Sequence, residues 1–464
     1  MTAAIGVDIG TTTISINLIE KQSGAVIQSV TLPNHSSLKR GEQDLFSDLQ
    51  NPDAIFELVQ SVLQELTASE NVCSIGITGQ MHGIVYLNAS GQAVSPLYTW
   101  RDGRGNMPCH ISRDGKSYAE YLSELTGYSM ASGYGCTTYF YHTVTKSVPE
   151  GAACFCSVQD YIAMRLVGAK RPLLHVTNAA GFGLFDFSSM TFDAAAIKKA
   201  GMTPDFLPKV ISDSAVAGMY KGSIPVSVAI CDNQASFLGS VRDMENSVLA
   251  NVGTGSQITF AAKRAEIMPG LELRPCTDGY LLQVGSSLCG GRALALLEEF
   301  FRKTAEMVAQ KKIESAYPGM DTYLERWLRE NTEGVLHAAN QLEVSTKFCG
   351  TRENPAERGA IKNIGMQNFT PENMAVGFLN GIASELFEMY QRAGVNHSVL
   401  VGAGNGMRKN RVLRKMMELV FRRKLYIPAH KEEAAYGAAL FSLVCAGFCK
   451  DIQEAQQCIK YEQE

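Results

Sequence analysis

The chain has 464 residues, 45% hydrophobic and 19% charged, which are globular values and leave room for two to three domains of roughly 150–200 residues each. Its 42 basic and 46 acidic residues are mixed throughout and leave a net charge of −4, which argues against a nucleic-acid or anionic-membrane surface, so an anion must be held by local loops. The start has no secretory pattern, no apolar run approaches the ~20 residues of a membrane span, and the cysteines lack zinc-site spacing; buried thiols in a reducing cytoplasm are the expectation.

Taken in order, the apolar pair Ala4-Ile5 leads into Val7-Asp8-Ile9-Gly10-Thr11-Thr12-Thr13 and then the alternating run Ile14 to Ile19. This predicts a strand, a tight glycine turn and a second strand. The turn offers a carboxylate and three hydroxyls where backbone N–H groups can point outward. That suits a phosphate with its magnesium ion, the carboxylate taking the cation through water; a plain polar-tipped hairpin is the alternative. Residues 25–30 can add a third strand, and Glu42 to Thr67 carries apolar positions at helical spacing. Cys73 to Thr78 reads as a buried strand ending in Gly79-Gln80-Met81-His82-Gly83. Ligands of open α/β sheets gather at the carboxyl ends of strands, so His82 is a candidate donor to a substrate hydroxyl, against a purely structural histidine.

Trp100-Arg101-Asp102-Gly103-Arg104 combines an aromatic face with charged groups that can bond paired hydroxyls, as sugar sites do; a salt-bridged surface turn is the alternative. Asp114-Gly115-Lys116-Ser117 fails as a phosphate-binding loop, because the first glycine of that motif would fall at His110. Gly133 to Thr138 has aromatic and hydroxyl content fit to face a polyol, and Phe155 to Ile162 begins a further structured segment. Val176 to Phe182 reads as a polar turn in which Thr177 and Asn178 are ligand contacts or caps. The strand ending at Cys231 runs into Asp232 and a small-residue helix. Asp232 is either a helix cap or a general base toward a hydroxyl.

In the second half, Asn251-Val252-Gly253-Thr254-Gly255-Ser256 repeats the opening hairpin between apolar flanks, which suggests duplicated domains facing a shared ligand. Gly285 to Gly291 leads to a helix from Arg292 to Gln310. A polar helix over Ser315 to Gly334, a loop over Phe348 to Pro355 and a helix from Pro371 to Arg392 follow. Val399-Leu400-Val401 ends in Gly402-Ala403-Gly404-Asn405-Gly406, a turn that can lie flat against adenine or ribose. Arg408 and Asn410 are further donors there or part of a solvated basic helix. Glu433-Ala434-Ala435-Tyr436-Gly437-Ala438-Ala439 echoes the helix at Asp232, and small residues on both allow close packing, expected at a joint between domains.

These paired hairpins, glycine-ended strands and small-residue helices follow the actin-like duplication. The whole chain resembles the FGGY carbohydrate kinases through Asp8 to Thr12, Gly79 to Gly83, Trp100 to Arg104, Asp232 to Ala235, Gly253 to Ser256, Gly402 to Asn405 and Glu433 to Ala439. The resemblance implies an α/β fold of two actin-like (ribonuclease-H-like) domains. Each has a mixed central sheet flanked by helices, with the active-site cleft between them, residues 1–242 binding the sugar and 243–464 the nucleotide. It implies ATP and Mg2+ as cofactors and a sugar as partner, with no nucleic acid and no membrane; a homodimer is the assembly left open, and the compartment is cytoplasmic. By the same resemblance Asp232 takes the proton from a terminal hydroxyl and Asp8 orients magnesium through water. Thr11, Thr12, Thr13, Gly253, Thr254, Gly290, Gly404 and Asn405 hold the nucleotide. Gln80, Met81, His82, Trp100, Asp102, Arg104 and Asn233, with Asp232, hold the sugar.

Within the family, Gly133 to Thr138 is most similar to the sedoheptulokinases. Thr138 and Tyr141 stand where many members carry a lysine and a tryptophan, which weakens a xylulokinase or glycerol kinase reading. Gln80 to Gly83 is shared with xylulokinases and some gluconate kinases, and Ala403 departs from the usual three glycines. Two other classes are weighed beside a sugar kinase: an actin-like ATPase without a sugar, and a catalytically silent sugar-binding regulator. Trp100, Asp102 and Arg104 speak against the first, and retention of Asp8, Asp232 and both hairpins against the second.

Overall fold

The structure, a computed structural model, describes residues 2–39, 41, 44–262, 266, 268–330, 341–351 and 353–462. Two compact units share the chain. The first comprises Met1–Arg242, Arg274–Tyr280 and His430–Ile459, and the second Asp243–Leu273, Leu281–Ala429 and Lys460–Glu464.

In the first unit, β1 (Thr2–Ile9) and β2 (Thr13–Glu20) are almost continuously apolar and buried, as strands covered on both faces must be. β3 (Val26–Pro33) is the exposed edge. Next come α1 (Pro52–Ser69), β4 (Asn71–Gly79), α2 (Gly135–Val144), α3 (Val158–Leu166) and α4 (Val176–Gly181). β5 (Val216–Tyr220), β6 (Ile224–Ser227), β7 (Ile230–Cys231) and α5 (Asp232–Ser240) follow. The sheet order is β5-β6-β4-β1-β2-β3, with β7 also on β4. β1, β2 and β3 pair antiparallel, while β4 runs parallel to β1 and both β6 and β7 run parallel to β4. Ile9 and Cys231 both pair with Gly79, so the carboxyl ends of β1, β4 and β7 lie side by side.

The second unit holds β8 (Ser247–Val252), β9 (Ser256–Ala262), the first two residues of β10 (Glu272–Pro275), β11 (Leu281–Ser287), α6 (Gly290–Ala309) and α7 (Tyr317–Glu330). Then come α8 (Pro371–Arg392), β12 (Val399–Ala403), α9 (Gly404–Lys409), α10 (Arg411–Phe421) and β13 (Leu425–Tyr426). Its sheet runs β10-β11-β9-β8-β12-β13. β8, β9 and β11 pair antiparallel and β12 runs parallel to β8, repeating the pattern of β1, β2, β3 and β4. This is the duplicated mixed-sheet α/β architecture.

Several elements differ from the sequence expectation. α1 starts at Pro52, because Asn51 caps the N–H groups of Asp53 and Ala54 and Pro52 takes the first helical position; Glu42 lies outside the described residues. Val176 to Gly181 is a short helix, not a turn. α6 begins at Gly290, and α7 covers Tyr317–Glu330, with 331–334 outside the described residues, as is Arg352 in the expected loop. The expected joint helices are α5 and α11 (Glu433–Cys445), and both belong to the first unit. A single division after residue 242 therefore does not describe the units, because α11 covers the first sheet. A Cβ at Gly6 of β1 would lie 1.8 Å from the Ala435 carbonyl oxygen, and one at Gly76 of β4 would lie 1.9 Å from that of Ala438. The helix rests on bare sheet backbone, which only glycine permits.

Candidate active site

The strand ends just described gather Asp8, the loop after Gly79, and Asp232 at one edge of the first sheet. Asp8 is the last residue but one of β1. Its Oδ1 is buried without a hydrogen-bond partner. Burial first, and then the carboxylates of Asp232 and Glu432, raise its pKa to about 8. Asp232 opens α5, and its Oδ1 accepts the backbone N–H of Asn233 at 2.7 Å and the Cys231 thiol at 3.4 Å. Burial raises its pKa too, opposed by its hydrogen bonds and the Arg274 guanidinium. Two partly shielded carboxylates thus face one region with unmet demand for a cation or a proton.

The hairpin tip is wired to the neighbouring loop. The Thr11 hydroxyl donates to Gln80 Oε1 at 3.2 Å and accepts the Trp100 indole N–H at 3.0 Å. Gln80 in turn donates to Gln50, whose amide donates to the Thr11 carbonyl. The Thr11 hydroxyl is therefore committed, whereas Thr12 and Thr13 are exposed. Trp100 is 45% exposed with its N–H already paired, so the indole face is what it offers a ligand.

His82 has a left-handed backbone (φ 73°) and stacks on Tyr134, ring centroids 4.5 Å apart. Its Nδ1–H donates to the Gly181 carbonyl at 2.6 Å. The Nδ1 proton is therefore spent on the Gly181 carbonyl and is not the one a substrate hydroxyl would receive. Met81 Sδ accepts from Arg274 Nη1 at 3.4 Å.

Asp102 is 1% exposed and holds Arg104 through two bonds, Nε to Oδ1 at 2.5 Å and Nη2 to Oδ2 at 3.0 Å. Arg104 also donates to His142 Nε2 at 2.9 Å and stacks over Tyr98. Burial and this guanidinium depress the His142 pKa to about 3, keeping the ring a neutral acceptor. As placed, the Asp102–Arg104 pair braces the loop that carries Trp100, and both Asp102 oxygens are spent inside the protein.

In the second unit, three loops meet at the ends of β8 and β12, where Asn251 pairs with Ala403. The Gly291 N–H donates to the Gly253 carbonyl at 2.8 Å and that of Arg292 to Thr254 at 3.1 Å. A Cβ at Gly290 would lie 2.5 Å from Gly255 backbone, so Gly290 seats α6 on the hairpin. Gly404 (φ +83°) faces Asn251 and Val252, where a Cβ would approach to 2.5 Å. Gly253, Thr254 and Asn405 are exposed beside this junction. Asn410 instead caps α10 by accepting the Leu413 N–H, and Arg408 donates to the Pro428 carbonyl.

The model of the N-terminal domain of the FGGY carbohydrate kinases matches residues 3–239. The chain belongs to the FGGY family of carbohydrate kinases. The kinase is thus an ATP-dependent sugar phosphotransferase. It is 26% identical to mouse sedoheptulokinase over 95% of this chain and 97% of that protein, and 25% identical to the human one over the same shares. It is 22% identical to the gluconokinase of Bacillus subtilis, over 96% of this chain and 87% of that protein. Among solved structures, gluconate kinase from Lactobacillus acidophilus superposes with a TM-score of 0.82 at 17% identity, covering 99% of this chain and 92% of that one. Xylulose kinase from Rhodospirillum rubrum gives 0.81 at 20% identity, covering 99% and 93%.

Sequence reasoning missed three residues of the kinase's site region. Glu432 sits at φ 57°, accepts the Ser15 hydroxyl at 2.8 Å and acts electrostatically on Asp8. Its only sequence signal is the acidic doublet before the small-residue helix. Arg274, 5% exposed, lies far along the chain in a strand with no motif, and Gln50 precedes the Asn51 cap. No helix among the described residues is long and apolar enough to cross a membrane, and all twelve cysteines are free thiols.

Proposed function

We propose that this kinase phosphorylates the terminal hydroxyl of a ketose, sedoheptulose, giving sedoheptulose 7-phosphate, with Asp232 as the general base. The observation that carries the reading is the placement of Asp232 at the strand edge shared with Asp8 and the Gln80–His82 loop. Both bonds on its carboxylate fall on Oδ1, which leaves Oδ2 to take the proton of an attacking hydroxyl. Burial makes this carboxylate more basic than an exposed one, in the direction a base for a weakly acidic hydroxyl requires. His82 and Asn233 bond sugar hydroxyls, and Met81 and the Trp100 face cover C–H surface. The Asp102–Arg104 pair enters as the brace of this wall. In the first unit Thr12 and Thr13 bond phosphate oxygens, and in the second the loops at Gly253, Thr254, Gly290, Gly404 and Asn405 bind nucleotide.

A divalent cation fits Asp8. Its orphaned buried oxygen and raised pKa describe a carboxylate lacking its counter-ion. Among the described residues no three acidic, imidazole or thiol groups come close enough to chelate an ion directly, so Asp8 would hold magnesium through water, with phosphate oxygens completing the shell. When bound, the ion neutralises charge on the transferring phosphoryl group.

Sedoheptulose is favoured by the two sedoheptulokinase relatives, matched across nearly their whole length. Xylulose and gluconate are the alternatives, since relatives named for both match the same chain. A coupled ADP-release assay with sedoheptulose, xylulose, ribulose, glycerol and gluconate tests this. The highest kcat/KM is expected for sedoheptulose; a higher value for any other sugar overturns the choice, and sugar-independent ADP release overturns the kinase site.

A further inference from the structure

The six-residue helix α4 touches both chemical arms of the site from a buried position. Its Thr177 and Asn178 are 0% and 3% exposed, which removes them from direct sugar contact. The Thr177 hydroxyl accepts the N–H of Cys231 at 3.2 Å, and Asn178 Nδ2 donates to the Ala229 carbonyl at 3.0 Å. These bonds grip β7 on the residues just before Asp232. At the other end of the same helix, the Gly181 carbonyl takes the Nδ1–H of His82 and so orients its ring.

Behind α4 lies a buried polar set that fixes it in turn. Asn178 Nδ2 also donates to Asp160 Oδ1 at 3.0 Å, and its Oδ1 accepts the Gln159 amide at 2.9 Å. The Ser157 hydroxyl donates to Asp160 Oδ2 at 2.5 Å. Thr177 Oγ1 lies 3.0 Å from His175 Nδ1, which already accepts the Thr177 N–H, so the hydroxyl proton points to the imidazole and its lone pair to Cys231. Ser157, Gln159, Asp160 and His175 are all at most 1% exposed. Gln159 Oε1 and His175 Nε2 are buried without a hydrogen-bond partner, while the bonds that are made link Ser157, Gln159, Asp160, His175, Thr177 and Asn178 into one buried set around α4. An apolar helix of the same length would leave the Cys231 N–H and the Ala229 carbonyl without these partners, so the polar set is what ties β7 to α4.

We propose that Thr177 and Asn178 are positioning residues that set Asp232 and His82 in register with one another, so that the base and the sugar-binding His82 ring are held as one rigid unit by α4. The proposal rests on the reading of Asp232 as the base. Misplacement of a base by a fraction of an ångström leaves sugar binding largely intact while slowing proton removal.

The test uses the full chain with ATP and magnesium. Sedoheptulose and, in parallel, D-xylulose are the sugars, so that a wrong sugar and a wrong positioning role give different results. Thr177→Val keeps the shape and removes the hydroxyl; Thr177→Ser keeps the hydroxyl. Gln159→Met, a second variant, keeps volume and removes the donor to Asn178. For Thr177→Val the expected result is a roughly 10- to 100-fold loss of kcat with the calorimetric sugar Kd within about twofold of wild type, and recovery in Thr177→Ser. Gln159→Met is expected to lose kcat in the same direction with unchanged sugar Kd. Wild-type kcat in folded Thr177→Val overturns the proposal. So does a loss of kcat matched by an equal loss of sugar affinity, which marks a merely structural role. Where Thr177→Val yields no folded protein, wild-type kcat in Gln159→Met overturns it. Asp232→Asn run alongside separates the two levels. If it keeps activity the base reading has failed; if it is inactive while Thr177→Val is normal, only the positioning role has failed.

Discussion

Gly437→Ala places a methyl group where two helix backbones touch. A Cβ there would lie 1.9 Å from the Ala235 carbonyl oxygen and 2.8 Å from the Gly239 nitrogen, while ordinary contact begins at 3.4 Å. The backbones of α5 and α11 must then part by about 1.5 Å, from 1.9 to 3.4 Å. α11 cannot retreat, because Gly6 and Gly76 seat its carbonyls directly on β1 and β4. The movement therefore falls on α5. Overpacking against backbone sits near the upper end of the usual range, about 3 kcal/mol. Replacing a helical glycine by alanine returns about 1 kcal/mol. The net loss of roughly 2 kcal/mol corresponds to a fall in Tm of roughly 3 °C for a unit of this size. Ala235 stands one helical turn after Asp232, so a displacement near 1 Å at that turn is expected to lower kcat on the order of 10²-fold. Thermal unfolding and coupled ADP release at saturating sugar and ATP measure both. A variant with wild-type Tm and wild-type kcat refutes the rigid-crossing argument, and wild-type kcat with a lowered Tm refutes the link from crossing to base.

Asp232→Asn is expected to lower kcat by roughly 10²–10⁴-fold with sugar binding retained, checked by single-turnover kinetics and calorimetry; a large retained share of kcat removes the base assignment. Asp8→Ala should raise the magnesium concentration for half-maximal rate steeply, and an unchanged metal titration counts against the cation assignment. Asp160, buried and raised to about 7 chiefly by burial, keeps its proton in the folded state where the unfolded chain has lost it. Both states are protonated below the unfolded value near 4. As pH rises toward 7 only the unfolded chain releases the proton, so folding stability falls across that window by up to roughly 4 kcal/mol and is flat above it. Asp160→Asn should remove this component, so the difference in urea stability between wild type and variant must change between pH 4 and 7; a pH-independent difference contradicts the raised value.

The sequence by itself determined the local pieces. Each hairpin was readable because alternating apolar residues surround a glycine turn that few other residue types can form. Its second copy at Gly253 was readable because the duplication kept the same local chemistry. That Asp8, Asp232 and Gln80 to His82 lie at strand ends, and Trp100 in a polar turn, was legible because each follows a recognisable local pattern. What the tertiary structure decided depends on partners distant in the chain. Asp102 and Arg104 looked equally fit for a sugar and for each other; the fold closed them into a bidentate pair braced by His142 and Tyr98. The ring of His82 was oriented by the Gly181 carbonyl, 99 residues away. Glu432 reaches Ser15 across 417 residues, and Asn178 reaches Ala229 across 51. α11, which sequence pattern placed at a joint, belongs to the first unit, because the glycines that receive it are in β1, β4 and α5. Periodicity and turn chemistry report on neighbours along the chain, whereas hydrogen-bond commitment and backbone contact are fixed only when remote segments are brought together.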